Sequence, residues 1–272
     1  MESRLLLWLL IGCASCNVRA GVQSIGAPKY EFRQIAALAK GLERSLAARH
    51  ARVAIIGRMG LPPELMPPGI KFSHAAFAVY SRIETSDGRM LPGYAIYNLY
   101  GSMQRTARSH LAQDYPVDYL SISQRLEVGV VIPDEKLQES LVKTIYSPRY
   151  ARLHVPDYSI IASPYNLKYQ NCTEFVLDVI FASLYDTDDP ARIKVNIRAY
   201  FKPEPLPVDQ VKLHLASLTE PEVRLDDHEG PVVTATFKNI TQFLMDNGIA
   251  EEAYVYTTNP VTLFGKIEKP EF

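Results

Sequence analysis

The chain has 272 residues, of which 47% are hydrophobic and 22% charged, and its formal net charge is −1 at pH 7. This composition is that of a globular protein long enough to bury a sizeable core. The near-neutral charge, with no basic stripe, argues against a nucleic-acid partner. No metal-ligand cluster, phosphate loop or dinucleotide fingerprint is found along the sequence, so we expect no metal and no cofactor.

The N-terminus has the pattern of an export signal. Arg4 precedes the apolar run "LLLWLLIG", which is too short to span a bilayer, since a span needs about 20 residues. The tripeptide "VRA" ending at Ala20 fits cleavage by signal peptidase. We therefore predict a signal peptide at 1–20, a periplasmic or secreted protein, and a mature chain without a transmembrane span. The alternative is a lipoprotein anchored at Cys13, because "LIGC" resembles a bacterial lipobox.

The first half of the mature chain predicts a helix followed by strands. Apolar residues recur at helical spacing over 29–51, and a short buried strand follows at 53–56. The segments "FSHAAFAVYSRIE" and "YAIYNLYG" flank the turn "DGRMLPG", so we expect them to pair as a hairpin. Residues 111–122 suggest a loop or a short helix. The segment "RLEVGVVIP" predicts a strand, and "DEKLQESLVKTIY" a helix that begins near Asp134.

The second half predicts more helix than strand. The segment "DYSIIA" at 157–162 has a strand pattern, and a helix is expected from Cys172 to about Tyr185. The pattern of "ARIKVNIRAYF" fits either a helix or an extended segment. The segment "TATFKNITQFLMDNG" predicts a helix ending at Gly248, and "AYVYT" a final strand. The order of elements indicates an α+β fold, with residues 21–272 forming one domain that has an N-terminal helix and a C-terminal extension.

The helix in "NCTEFVLDVIFASL" starts at a cysteine. Asn171 is a good N-cap, and Glu174 stands three residues later, as in a capping box. Large apolar residues on the Cys172 side predict one buried face with the thiol at its tip. A helix N-terminus favours a thiolate, which lowers the thiol pKa, and it offers backbone N–H groups to an oxyanion. Nucleophilic catalysis is one interpretation of this cysteine, and a small buried packing residue is the other.

A thiol nucleophile needs a base. His74 opens a strand whose other residues are mostly apolar or small, so we expect it to be partly buried. A satisfied core histidine is the alternative interpretation. His154, which precedes the segment 157–162, is the second candidate for the base. The remaining histidines are expected at the surface: His50, His110, His214 and His228.

Four segments together resemble a known family. They are "GIKFSHAAFAV", "LHVPDYSIIA", "YQNCTEFVLDVI" and "ATFKNITQFL". The chain resembles the bacterial domain-of-unknown-function family 2145 over about residues 50–245. More widely, a histidine strand that precedes a cysteine helix resembles the permuted papain-like cysteine hydrolases, relatives of the NlpC-type cell-wall amidases and of lecithin retinol acyltransferase. The resemblance implies an antiparallel sheet packed against the helix that carries the cysteine at its N-terminus.

The resemblance implies that Cys172 is the nucleophile and His74 the general base. The third residue should lie on the strand after the histidine strand, where alternation lets only one of Tyr97 and Asn98 face His74. We predict Asn98, because its amide oxygen can accept the imidazole N–H.

Three further residues are weaker candidates for a substrate or oxyanion role. Tyr169 and Gln170 immediately precede the N-cap of the cysteine helix, and Arg58 ends the first strand. The alternative interpretation of Arg58 is a solvated loop charge.

The export signal and the resemblance together imply an exported cysteine hydrolase or acyltransferase acting on an amide, thioester or ester of the cell envelope. A peptidoglycan peptide, a lipid or an envelope protein would be the substrate. The alternative function is a non-catalytic periplasmic binding or structural protein that keeps the same fold.

Overall fold

The computed structural model describes residues 28–85, 87–102, 106–203 and 205–258. The predicted signal peptide and Cys13 lie outside the described residues. Within the described ranges, no helix combines the length and the apolar character needed to cross a membrane.

A six-stranded sheet forms the centre of the fold. Its strands are β1 (Val53–Arg58), β2 (His74–Glu84), β3 (Met90–Gly101), β4 (Ser109–Asp114), β5 (Glu127–Pro133) and β6 (Ala250–Thr257). The order across the sheet is β4-β3-β2-β1-β5-β6, and every neighbouring pair is antiparallel. The predicted α+β class and antiparallel sheet are confirmed, as is the β2–β3 hairpin.

Eight helices are found in the described ranges. They are α1 (Phe32–Ala48), α2 (Pro116–Leu120), α3 (Glu135–Ile145), α4 (Pro148–Arg152), α5 (Cys172–Leu184), α6 (Pro190–Tyr200), α7 (Gln210–Thr219) and α8 (Phe237–Asp246). A 3₁₀ turn covers Pro63–Leu65. Because side chains alternate along a strand, the sheet builds two cores. One contains α1 and α2, and the other contains α3, α5, α6 and α8.

Two sequence predictions about strands need correction. Residues 157–162 form no strand, because their backbone groups bond to irregular segments. Tyr158 N–H donates to the Ala107 carbonyl and Ile160 N–H to the Glu222 carbonyl. Conversely, residues 111–114 belong to β4 rather than to a loop. Their half-exposed edge position gives them a weak apolar pattern. The undecided segment 191–201 is largely the helix α6.

Helix α5 is more deeply buried than its pattern suggests. Every residue from Cys172 to Ser183 is buried, not one face alone. Asn171 is the N-cap, as predicted, and its side chain accepts the Glu174 N–H at 2.9 Å. The capping box is not formed, because Glu174 binds Lys194 of α6 instead, at 2.7 Å. The polar side of this helix is thus enclosed by another helix.

A pair of glycines lets α8 approach the sheet. Gly57 and Gly129 lie opposite each other on β1 and β5, and the Phe237 ring covers both. A Cβ on Gly129 would lie 2.5 Å from that ring, and one on Gly57 would lie 2.8 Å from it. Phe72 packs edge-on against Phe237, with ring centroids 5.1 Å apart. Phe72 lies two residues before His74, the first residue of β2, so this packing fixes the approach to His74.

Candidate functional site

Cys172 is the first residue of α5 and lies against the start of β2. Its thiol donates to the Ser73 carbonyl at 3.9 Å, and the side chain is 2% exposed. The backbone N–H groups of Ala75, Thr173 and Cys172 itself point to the sulfur. The sulfur therefore contacts main chain on both sides of His74 and is surrounded by hydrogen-bond donors.

His74 is held by residues from two elements, β3 and α2. Its Nε2 lies 3.0 Å from Asn98 Oδ1 on β3. Its ring stacks on Tyr100 with centroids 5.0 Å apart and planes 7° from parallel. The Tyr119 ring of α2 lies 5.6 Å away, and its hydroxyl donates to the His74 carbonyl at 3.1 Å. The imidazole is thus buried, with its plane and its strand both fixed.

The surroundings of Asn98 decide which ring nitrogen carries the proton. The Asn98 amide nitrogen faces two acceptors, the Ala112 carbonyl and Asp114 Oδ2, each at 3.3 Å. The amide oxygen therefore faces the imidazole, and an amide oxygen only accepts hydrogen bonds. Nε2 must then carry the proton in the neutral ring. Nδ1 keeps a lone pair, and it is buried with no hydrogen-bond partner in the described structure.

No hydrogen bond joins Cys172 to His74. Alternation along β2 puts His74 on the face covered by α1 and α2, where Tyr119 packs. Ala75 and Phe77 belong to the opposite core, together with α5. The thiol reaches the histidine strand through its backbone at residues 73–75. The structure brings the two predicted residues to the same strand end, but it does not place them in direct contact.

Burial controls the charge of both groups. It raises the pKa of Cys172 to about 11, against the smaller lowering by the surrounding backbone N–H groups and by Arg58. Burial also lowers the pKa of His74 to about 3, and Arg58 acts in the same direction, while the hydrogen bond to Asn98 opposes them. The sequence analysis suggested that the helix N-terminus lowers the pKa of this thiol. For this conformation that prediction is wrong. At pH 7, Cys172 is therefore a neutral thiol and His74 a neutral imidazole.

Arg58 is buried beside the histidine. It stands opposite His74 in the β1–β2 register and is 1% exposed, so the alternative of a solvated loop charge is wrong. Its Nη1 donates to the Tyr119 carbonyl, and its guanidinium lies 4.5 Å from the Tyr119 ring centroid. Nε has no hydrogen-bond partner in the described part of the chain. The charge of Arg58 thus acts on the site at close range.

The other two substrate candidates lie elsewhere. Gln170 is fully buried, but its amide nitrogen donates to the Leu153 carbonyl and to Asp178, and its oxygen accepts the Val155 N–H. The Tyr169 hydroxyl donates to Asp226 at 3.3 Å. Neither side chain lines the cavity that contains Cys172.

The alternative base, His154, also contacts other groups. Its Nε2 lies 2.9 Å from the Ser109 hydroxyl on β4. His228, expected at the surface, has a side chain only 3% exposed, and it lies 3.2 Å from Asp227. Burial of that side chain reflects its packing on an irregular segment, where no periodic pattern could indicate it. The exposed positions of His50, His110 and His214 agree with the sequence prediction.

Sequence reasoning missed three residues that hold the site. Tyr100 donates to Asp114 Oδ2 at 2.6 Å, and the same carboxylate oxygen accepts from Asn98. Tyr119 packs on both His74 and Arg58. Strand alternation could have found Tyr100, which lies two residues beyond Asn98 on the same face. Asp114 and Tyr119 carry no local signal, because tertiary packing alone brings them to β3.

The thiol lies in the wall of an apolar cavity. The cavity is small, with a volume of about 70 Å³. Its lining includes Phe72 and Ile161 together with Leu213 and Ala216 of α7. We call it the apolar slot.

The described residues contain no group of three or more histidine, cysteine, aspartate or glutamate side chains able to hold a metal ion. Comparisons with curated proteins and with solved structures gave no match. The model of a family described as an uncharacterized protein conserved in bacteria, DUF2145, matches residues 45–244. That match spans β1 to α8 and includes both His74 and Cys172. The chain belongs to this uncharacterized bacterial family.

Proposed function

We propose that the protein is a cysteine hydrolase or acyltransferase with a permuted papain-like fold, in which Cys172 accepts an acyl group and His74 is the base. One observation carries the proposal. Asn98 fixes the imidazole with its proton on Nε2, which leaves a buried, unpartnered lone pair on Nδ1 at the strand against which the thiol lies. A buried polar atom without a partner calls for an explanation, and catalysis is a common one.

The chemical step follows from the neutral pair. The Cys172 proton moves to His74 Nδ1 as sulfur bonds to the carbonyl carbon of an ester, thioester or amide. Backbone N–H groups at the start of α5 stabilise the developing oxyanion. The imidazolium then protonates the leaving group, and a thioacyl enzyme remains for water or another acceptor. Because the thiol and the His74 side chain lie on opposite faces of the sheet with no hydrogen bond between them, the proposed step requires a local rearrangement at residues 73–75 that brings Nδ1 to the thiol when substrate binds.

Export belongs to the same proposal. Residues 1–20 have the pattern of a signal peptide, so we propose a periplasmic or secreted enzyme, with lipid anchoring at Cys13 as the alternative form. N-terminal sequencing of native protein distinguishes them. A chain that begins at Gly21 supports export, one that begins at a lipidated Cys13 supports anchoring, and an intact Met1 contradicts both.

Acylation of Cys172 tests the chemistry. We expect p-nitrophenyl decanoate to transfer its acyl group to Cys172 in the folded protein, detected by mass spectrometry of the cysteine peptide. His74→Ala should slow this transfer by about 10²–10⁴-fold, the usual contribution of a positioned base. His154→Ala is the matched control and should leave the rate unchanged. Equal rates for wild type and His74→Ala, with both folded by circular dichroism, would refute the role of His74.

A specific observation favours a second function. The thiol is 2% exposed, and burial raises its pKa to about 11, as for a packing cysteine in a binding protein. Under this alternative, the apolar slot holds a ligand without chemistry. Complete absence of acyl transfer to Cys172 in folded protein, with acylation only after denaturation, would support the binding function.

A further inference from the structure

The apolar slot has the chemistry of an aliphatic-chain site. None of its twenty lining residues is charged. Its polar side chains gather around Cys172, and most are already bonded to protein. Thr173 Oγ1 donates to the Ala235 carbonyl at 2.7 Å, and Thr234 Oγ1 donates to the Ala162 carbonyl at 3.0 Å. Most of the slot can therefore contact apolar atoms of a ligand, and a polar group of the ligand can lie beside the thiol.

The shape of the slot selects among apolar ligands. The volume of the slot is small, about 70 Å³, so a single slender hydrocarbon chain enters it more readily than a fused ring system. Its apolar lining includes Leu206, Val208 and Leu213, the last of which belongs to α7. A chain bound in the slot would therefore contact α7.

A second groove adjoins the slot and is cationic. The two share wall residues, among them Met66, Ile70 and Phe72. The groove is also lined by Lys71, Arg125 and Lys238, with no acidic side chain in its lining. Lys71 lies 3.9 Å from Glu127 outside the groove, which offsets part of the charge. An apolar slot beside a cluster of cations is complementary to an amphiphile with an anionic head.

We propose that the site binds an acyl chain joined to a phosphate-bearing head group, with the chain in the apolar slot and the phosphate at Lys71, Arg125 and Lys238. The acyl carbonyl then lies at the polar end of the slot, near Cys172. This inference deepens the proposed function by naming its substrate class. It rests on that function only for the reaction at the carbonyl, and not for binding.

Binding of three probes tests the proposal by calorimetry on the full chain: decyl phosphate below its micelle concentration, decanol and inorganic phosphate. Each buried methylene should raise affinity by about fourfold. We therefore expect decyl phosphate to bind at least about a hundredfold more tightly than phosphate, and at least about tenfold more tightly than decanol. Equal affinities for decyl phosphate and decanol would overturn the head-group assignment. Absence of decanol and decyl phosphate binding would overturn the slot assignment.

Two matched pairs of variants locate each part of the ligand. Val208→Asp puts a charge in the slot wall and should weaken decyl phosphate binding at least tenfold, whereas Val211→Asp, exposed on α7, should not. Arg125→Gln should remove most of the difference in affinity between decyl phosphate and decanol, whereas Arg192→Gln on the exposed side of α6 should not. If Val208→Asp fails to fold, Ala216→Trp fills the same slot and Leu218→Trp is its exposed control. Unchanged binding in Val208→Asp or Ala216→Trp contradicts the proposal.

Two further measurements distinguish the possible sources of such a ligand and the two proposed functions. Competition by an acyl-coenzyme A thioester or by a monoacyl phospholipid identifies the source, and failure of both to displace decyl phosphate refutes the substrate class. Cys172→Ala should bind decyl phosphate as wild type does. Binding of decyl phosphate without any acyl transfer to Cys172 would refute the enzymatic function but support the proposed ligand. Acyl transfer whose rate does not depend on chain length would refute the proposed ligand alone.

Discussion

Two buried cations lie near the cysteine helix, and only one of them is paired with carboxylates. Lys194 lies 2.7 Å from Glu174 and 2.7 Å from Asp178, both on α5. Arg58 lies beside His74 with a backbone carbonyl and aromatic rings as its neighbours, and no carboxylate of the described chain pairs with it. Lys194 is neutralised where it stands, so its field at the thiol is small. The unneutralised charge of Arg58 lowers the pKa of both Cys172 and His74.

The charge of Lys194 holds the helix in place, whereas the charge of Arg58 affects the ionisation of the thiol and the imidazole. Removing one partner of a buried ion pair leaves the other charge uncompensated, and this costs far more than the pair itself contributes. Removing an unpaired buried cation has no such cost. The two sites should therefore respond differently to the same substitution, Lys or Arg to Met.

Lys194→Met should have the largest effect on folding. It leaves two carboxyl groups buried without their cation, and we expect it to lower the free energy of unfolding by about 3–5 kcal/mol. Urea denaturation measures this, with the exposed Lys202→Met as control. A loss equal to that of Lys202→Met would show that the cluster does not hold α5.

The same cluster should give the stability a pH dependence. Burial raises the pKa of Glu174 well above its ordinary value, against the opposing effect of Lys194. The folded protein then keeps a proton that the unfolded chain releases, so this contribution is full below the unfolded pKa of about 4.3 and falls as pH rises. The slope is at most about 1.4 kcal/mol per pH unit.

Glu174→Gln should remove this contribution. The lowered pKa of His74 gives an opposite slope in wild type and variant alike, so the relevant quantity is the difference between their free energies of unfolding, measured by urea denaturation between pH 4 and 8. This difference should fall as pH rises, and Glu251→Gln, on the exposed side of β6, should show the pH dependence of wild type. A difference that grows with pH would contradict the raised pKa of Glu174.

Arg58→Met should change the thiol more than the fold. Loss of the positive charge raises the pKa of Cys172 further, so iodoacetamide labelling at pH 9 should slow by about tenfold, one pKa unit being about 1.4 kcal/mol. Stability should change by less than about 2 kcal/mol, since one charged hydrogen bond is lost and one buried charge removed. The same labelling in Lys194→Met, under conditions where it is folded, should match wild type. Equal slowing in both variants would show that the Arg58 charge affects the thiol no more than the paired Lys194 does.

Asn98→Ala should give the smallest effect of the set. Without the amide oxygen, the His74 ring is no longer held with its proton on Nε2, and acylation of Cys172 should slow by less than about tenfold. Tyr97→Phe is the matched control, because Tyr97 lies on the opposite face, where its ring packs on Tyr146 and Tyr150. The reverse ranking would mean that Asn98 does not orient the base.

Local patterns in the sequence were enough to predict the immediate geometry of the site. Asn171 predicted the start of α5, because its side chain caps the helix wherever the helix lies. Alternation in "YAIYNLYG" predicted that only one of Tyr97 and Asn98 faces His74, because side chains of a strand alternate regardless of its partners. Asn98 was then predicted because its amide oxygen can accept the imidazole N–H. The hairpin, the α1 helix and the α+β class follow from equally local patterns.

The electrostatics of the site and the cavity arise from tertiary packing. The neutral state of Cys172 and His74 comes from desolvation, which depends on everything packed around them and outweighs the local field of the helix. Lys194 reaches α5 from the next helix, and Asp114 reaches Asn98 from the edge strand β4. The apolar slot is enclosed by segments distant in sequence, from Leu61 to Thr236. Desolvation and enclosure are properties of the whole packing, and no single segment of sequence encodes them.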